Sequence, residues 1–176
     1  MKNIRYAAFL RGINVGKAKQ VKMAELKKAF ESLGFQDVKT LLNSGNVIFD
    51  ADEKNEKVVT KNIEDALEKT FGWRISTLLR PIIELQNLVN ENPFKDITVT
   101  PQTRLYVTFL TNKPDSTIKL SSKDYTILHA SNREVCSVIT ITPEKNTTDL
   151  MKNLEQKNGK NITTRNWNTV QRILKA

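Results

Sequence analysis

The chain predicts an α+β fold of two ferredoxin-like halves, each β-α-β-β-α-β, the second degenerate, with an additional helix at the C-terminus. Three observations lead there. Short apolar strand runs alternate with helical periodicities in the order β-α-β-β-α-β over the first half. Leu105-Tyr-Val-Thr-Phe-Leu110 then echoes the opening strand, with Tyr106, Phe109 and Leu110 standing at a constant offset from Tyr6, Phe9 and Leu10. Between the two lies an irregular stretch of residues 93–102 that begins at Asn92-Pro93, which divides the chain into halves at 1–92 and 103–176.

Each element has a local reason. Residues 4–10 are short and nearly continuously apolar, as in a strand buried on both faces. Met23, Leu26, Phe30 and Leu33 recur at helical spacing over residues 22–33, and Gly34 supplies a stop. Val38–Leu42 and Asn46–Phe49 read as two strands joined through a tight turn at Ser44-Gly45. Val59, Ile63, Leu67 and Phe71 mark a second helix over about 56–71 that stops at Gly72, followed by a strand through Ile75, Thr77 and Leu79. Pro81 opens a helix that buries Ile82, Leu85 and Val89.

In the second half the crossover 112–124 carries little helical pattern. Tyr125–Ala130 and Glu134–Thr142 form a hairpin turning at Ser131-Asn132, and Thr147 or Thr148 caps a helix bearing Leu150, Met151 and Leu154 that ends near Gly159. An extended Asn161-Ile-Thr163 leads into a last helix, capped by Thr164 or Asn166, with Trp167, Val170 and Leu174 inward.

The net charge of +9 is unevenly placed: residues 1–28 carry +7, residues 157–176 carry +5 and residues 29–156 carry −3. If the chain ends meet, as domain termini often do, they form one basic face. Solvated lysines on amphipathic helices explain the same numbers without a partner. No apolar run approaches the ~18–20 residues of a membrane span. The start lacks the apolar region of a signal peptide, and the single Cys136 excludes an internal disulfide framework, so a cytoplasmic protein is expected.

Three polar loops are candidate sites. In the first, Arg11, Gly12, Asn14, Gly16, Lys17 and Lys19 follow a strand and precede a helix, an arrangement in which backbone N–H groups cradle anions. A nucleotide-triphosphate loop is excluded: only three residues separate the glycines, and Ala18 stands where Ser or Thr is needed. In the second, Ser44 and Asn46 flank Gly45, and strand order places this hairpin at the opposite end of the sheet from the first loop. In the third, Arg165 and Asn166 lie at the expected start of the last helix, where a positive dipole favours anions. Each loop also has a plain structural explanation in turn geometry and capping.

Tyr6-Ala-Ala-Phe-Leu-Arg-Gly-Ile-Asn-Val-Gly16, Val21, Met23, Thr40, Ser44-Gly-Asn-Val47, Phe49 and Thr164-Arg-Asn-Trp167 with Thr169 together resemble a family of mainly bacterial proteins, domain of unknown function 1697. The family pattern has glycine where Lys17 stands, asparagine where Lys19 stands and an aromatic residue where Leu41 stands. The resemblance implies one compact architecture and no established activity.

Catalytic constellations are scarce. His129 is the only histidine, Cys136 the only cysteine, and the acids Asp50, Asp52 and Glu53 read as a solvated loop, so no metal and no cofactor is expected. The leading expectation is binding of a phosphate-bearing or polyanionic partner, nucleic acid or a phosphorylated small molecule, without a membrane. The alternatives are an enzyme on a small anionic metabolite between the halves, with Arg11 and Arg165 as clamps, and a protein-interaction adaptor. Oligomeric state is not legible.

Overall fold

The computed structural model describes residues 3–114, 121, 125–142 and 148–176. Most of the crossover at 112–124 and Thr147, one of the two expected caps, lie outside the described residues, whereas Thr148 is the first residue of its helix. The fold is α+β, with two four-stranded antiparallel sheets, each accompanied by helices, and a C-terminal helix. The chain divides into one unit of residues 1–86 with 173–176 and another of Asn87–Arg172.

The first unit contains β1 (Ile4–Leu10), α1 (Met23–Glu31), β2 (Gln36–Leu41), β3 (Asn46–Ala51), α2 (Glu56–Phe71) and β4 (Thr77–Pro81), with α3 (Ile82–Glu91) following. Sheet order is β2-β3-β1-β4. Alternation along the strands puts Tyr6, Ala8, Leu10, Val47, Phe49 and Leu79 into one buried cluster with Leu26 and Phe30 of α1 and Val59, Ile63 and Leu67 of α2. Phe49 anchors it, stacked on Phe35 at 4.5 Å and edge-on to Phe30 at 5.3 Å. The Asn55 side chain accepts from Lys57 N–H at the start of α2, and Gly72 ends that helix with φ 81°. Pro81 closes β4, one residue before the helix it was expected to open.

The second unit repeats this plan with β5 (Thr103–Leu110), β6 (Tyr125–Ser131), β7 (Glu134–Thr140), α4 (Thr148–Asn158) and β8 (Ile162–Asn166), followed by α5 (Trp167–Ile173). Sheet order is β6-β7-β5-β8, the same permutation. The register repeats as well. Tyr6–Leu10 pair with Pro81–Thr77, and Tyr106–Leu110 pair with Asn166–Ile162. Arg80 and Arg165 therefore occupy equivalent positions, opposite Ala7 and Val107.

The last strand corrects the sequence reading. Thr164, Arg165 and Asn166 belong to β8, and the final helix begins at Trp167, which leaves Thr164 inside the strand and puts Asn166, the other cap expected, directly before the helix. The ladder with β5 explains why: β8 completes the sheet edge, and its backbone pairing outweighs the capping tendency of Thr164.

At the bulged start of β2, Arg5 Nη1 donates to Asp37 Oδ2 at 2.8 Å and to Asp50 Oδ1 at 2.9 Å. The bond to Arg5 holds the Asp37 carboxyl below its ordinary value of 3.8. A depressed folded-state value adds stability that is present above the unfolded value and lost as pH falls through the folded one. Asp37 has φ 46°, which asparagine tolerates, so Asp37→Asn removes the charge without forcing the backbone. The variant should have a lower urea midpoint than the parent near neutral pH, with the gap closing as pH falls through the depressed folded-state value of Asp37. A gap that stays constant with pH would assign the loss to something other than this ion pair.

Candidate functional site

The β1–α1 loop, residues 11–22, leaves the C-terminal end of β1. Phe9 pairs with Asn46, the first residue of β3, and Leu41, the last of β2, pairs with the same Asn46. The β2–β3 hairpin therefore lies at the same end of the sheet as the β1–α1 loop. This corrects the expectation that they start from opposite ends: β1 and β2 both run antiparallel to β3, so they finish together.

The hairpin is also longer than expected. Leu42, Asn43, Ser44 and Gly45 connect the strands, with Leu42 at φ 58° and Gly45 at φ 78°. Left-handed backbone at a leucine costs roughly 1–2 kcal/mol, so the surrounding contacts must fix it there.

Those contacts come from two asparagines. Asn14 Nδ2 donates to Val21 O at 3.0 Å and to Asn43 O at 2.9 Å, while its Oδ1 accepts from Val21 N–H at 2.7 Å. One carboxamide thus closes the β1–α1 loop and ties it to the hairpin. Asn46, 1% exposed, donates through Nδ2 to Leu41 O at 2.9 Å and to Ser44 Oγ at 3.0 Å. Gly45 O accepts from Leu10 N–H at 2.8 Å, extending the ladder.

The Arg11–Gln20 segment holds a distinctive backbone. φ is positive at Gly12 (70°), Asn14 (54°), Gly16 (63°) and Lys19 (53°), so handedness alternates from residue to residue along 12–16. Alternating handedness turns successive amides inward to form an anion-binding nest. Asn14 N–H goes to Lys19 O at 3.1 Å, and Gln20 Nε2 donates to Gly16 O at 2.8 Å. Among the described residues, the amides of Gly12, Val15, Gly16 and Lys17 have no acceptor. The loop carries Arg11, Lys17 and Lys19 and no acid, and both lysines are exposed.

The remaining candidates stand apart in chemistry. Arg165 is 8% exposed within β8, where it donates to Thr163 Oγ1 at 2.7 Å and Thr164 O at 2.9 Å. Burial alone lowers its guanidinium to about 10. Asn166 is exposed at the end of β8. The cations of the N-terminal segment separate along β1, since Arg5 is near its start and Arg11 follows its end. Cys136 is fully buried, and burial, aided by Glu134, pushes its thiol up to about 12, which removes it as a nucleophile. Among the described residues no three His, Cys, Asp or Glu side chains gather as a metal site requires. None of the helices in the described residues is long and apolar enough to cross a membrane.

Sequence reading missed Arg80, 1% exposed in β4 and donating to Leu79 O at 2.6 Å, with Nε 3.8 Å from Glu84 Oε2. An arginine inside the apolar run Leu78-Leu-Arg-Pro81 was the available signal. It also missed Leu42, because only the four-residue turn gives that side chain its position.

A family model described as protein of unknown function (DUF1697) matches residues 4–134. A solved structure, that of conserved bacterial protein SP0830 from Streptococcus pneumoniae, is similar with a TM-score of 0.76 at 23% identity, covering 99% of this chain and 98% of the other. At that identity the likeness speaks for the fold alone. No curated protein matches the sequence.

Gly45 tests the coupling of the two loops. A Cβ there would lie 2.8 Å from Ile13 Cδ1 and 2.9 Å from Leu10 Cβ, at a left-handed φ. Gly45→Ala should cost about 2–5 kcal/mol in urea unfolding, the sum of backbone strain and overpacking. A loss under about 0.5 kcal/mol would mean that the hairpin does not pack against the β1–α1 loop.

Proposed function

This chain belongs to the DUF1697 family, and we propose that it binds a phosphate-bearing polyanion at the end of its first sheet, through the β1–α1 loop. The observation that carries this reading is the alternating backbone of Gly12–Gly16, whose unspent amides lie beside Arg11, Lys17 and Lys19 with no acid in the segment. Amides supply short directional bonds to phosphate oxygens, and the cations supply long-range attraction without geometric demand. Asn14 contributes by position: it fixes the loop before a ligand arrives, so less ordering entropy is lost on binding.

The sheet face is a poor alternative platform. Ala7 and Phe9 of β1 and Ile48 of β3 are 1%, 0% and 1% exposed, so bases have no open strand surface on which to stack. Arg165 and Asn166 are not part of the proposed contact. The buried guanidinium of Arg165 already serves Thr163 and Thr164.

Lys17 and Lys19 stand where the family pattern has glycine and asparagine, which makes the reverting pair an informative variant. Lys19 has φ 53°, where asparagine is better tolerated than lysine, and Lys17 is exposed. Lys17→Gly/Lys19→Asn should therefore keep its stability within about 1 kcal/mol. Its binding to a short fluorescent oligonucleotide should weaken at low salt. The log–log salt slope should also become shallower by about 0.7 for each phosphate of the strand that the variant no longer neutralises. Absence of binding by the parent at low salt, or an unchanged slope in the variant, would overturn the proposal.

A further inference from the structure

The two coupled loops also present aliphatic side chains to solvent. Val15 is 72% exposed at the tip of the β1–α1 loop, and Leu42 is 42% exposed in the hairpin. They neighbour Asn14 and Asn43, the two residues joined by a hydrogen bond of 2.9 Å, so both belong to one locally tied surface. The β1–α1 loop that carries Val15 also carries Lys17 and Lys19, both exposed, which make no ion pair among the described residues. Leu42 is held at a left-handed φ of 58° that asparagine or glycine would adopt with less strain. An exposed, strained, apolar residue beside an anion nest has no stabilising purpose evident in the fold, and such outliers cluster at ligand-binding surfaces.

Resting on the phosphate-binding reading above, we infer that the partner is single-stranded nucleic acid, with Val15 and Leu42 lying against unpaired bases while the nest and lysines hold the backbone. A single strand alternates phosphates with splayed bases along its length, which matches cations and aliphatic tips interleaved in one short surface. A duplex turns its phosphates outward and keeps its bases stacked, so at its backbone ridge two aliphatic tips gain nothing. An anionic bilayer would attract the same lysines, but two tips are far less apolar surface than an interfacial helix inserts. The loop offers no aromatic platform, so recognition is sequence-tolerant and rests on aliphatic packing plus charge.

The test separates the apolar contribution from the phosphate contribution. Val15→Ser, at an exposed position that folding does not use, and Leu42→Asn, which relieves backbone strain, are compared with the parent on a labelled single strand and on the matching duplex, each across a salt series. Unfolding midpoints should match or exceed the parent's. Single-strand affinity should fall about tenfold or more in the double variant with an unchanged salt slope, because what the variant removes is apolar. Duplex affinity, weaker in the parent, should stay where it is. Equal weakening on both nucleic acids, or none on the single strand, would overturn this inference while leaving phosphate binding intact. So would co-sedimentation with phosphatidylserine vesicles that outcompetes the oligonucleotide and depends on Val15. Failure of the parent to bind any strand at low salt would remove both readings together.

Discussion

The side chain of Asn14 is the contact on which the proposed site depends. A single carboxamide satisfies Val21 through both its oxygen and its nitrogen, and reaches across to the Asn43 carbonyl. Without it, the segment from Arg11 to Gln20 would be a polar excursion with four positive-φ residues and little to order them. With it, the loop closes on the start of α1 and borrows the rigidity of the β-sheet through the hairpin. Each of those hydrogen bonds contributes about 0.5–1.5 kcal/mol net toward ordering the loop.

Topology makes this contact available. In a sheet ordered β2-β3-β1-β4, the strand between β1 and β2 is antiparallel to both, so their C-terminal ends coincide. Loop and hairpin then meet through Leu10, Ile13 and Gly45, where the absence of a side chain on Gly45 permits the approach. The same order and the same register recur in the second sheet, but there the hairpin begins β7 with Glu134 where the first sheet has Asn46. The two units therefore share a scaffold and differ in the chemistry at the sheet end.

Much of the architecture was legible because it is periodic. Residues 4–10, 23–31 and 56–71 carry their patterns locally, and the Tyr106, Phe109 and Leu110 echo foretold a matching strand register. The misreadings arose where local signals compete. Thr163-Thr-Arg-Asn166 is rich in residues that both cap helices and populate strands, and only the pairing with β5 decides between those uses. The Ser44-Gly45 signal suggested a two-residue turn, whereas the register leaves four residues between Leu41 and Asn46.

The residue types of the first loop were legible as chemistry, but the charge total was not legible as a surface. A strand the length of β1 carries Arg5 to the Asp37 and Asp50 carboxylates at one end and delivers Arg11 to the other, and Arg165 disappears into β8. What remains at the sheet end is a compact loop with inward amides and two solvent-facing lysines. Amide chemical-shift mapping of the isotope-labelled protein during titration with a short single-stranded oligonucleotide tests this most directly. The account predicts that the largest shifts fall on Gly12–Lys19, with smaller ones on Leu42–Gly45 relayed by Asn14. Shifts centred on any other surface, with the Gly12–Lys19 amides unmoved, would contradict it.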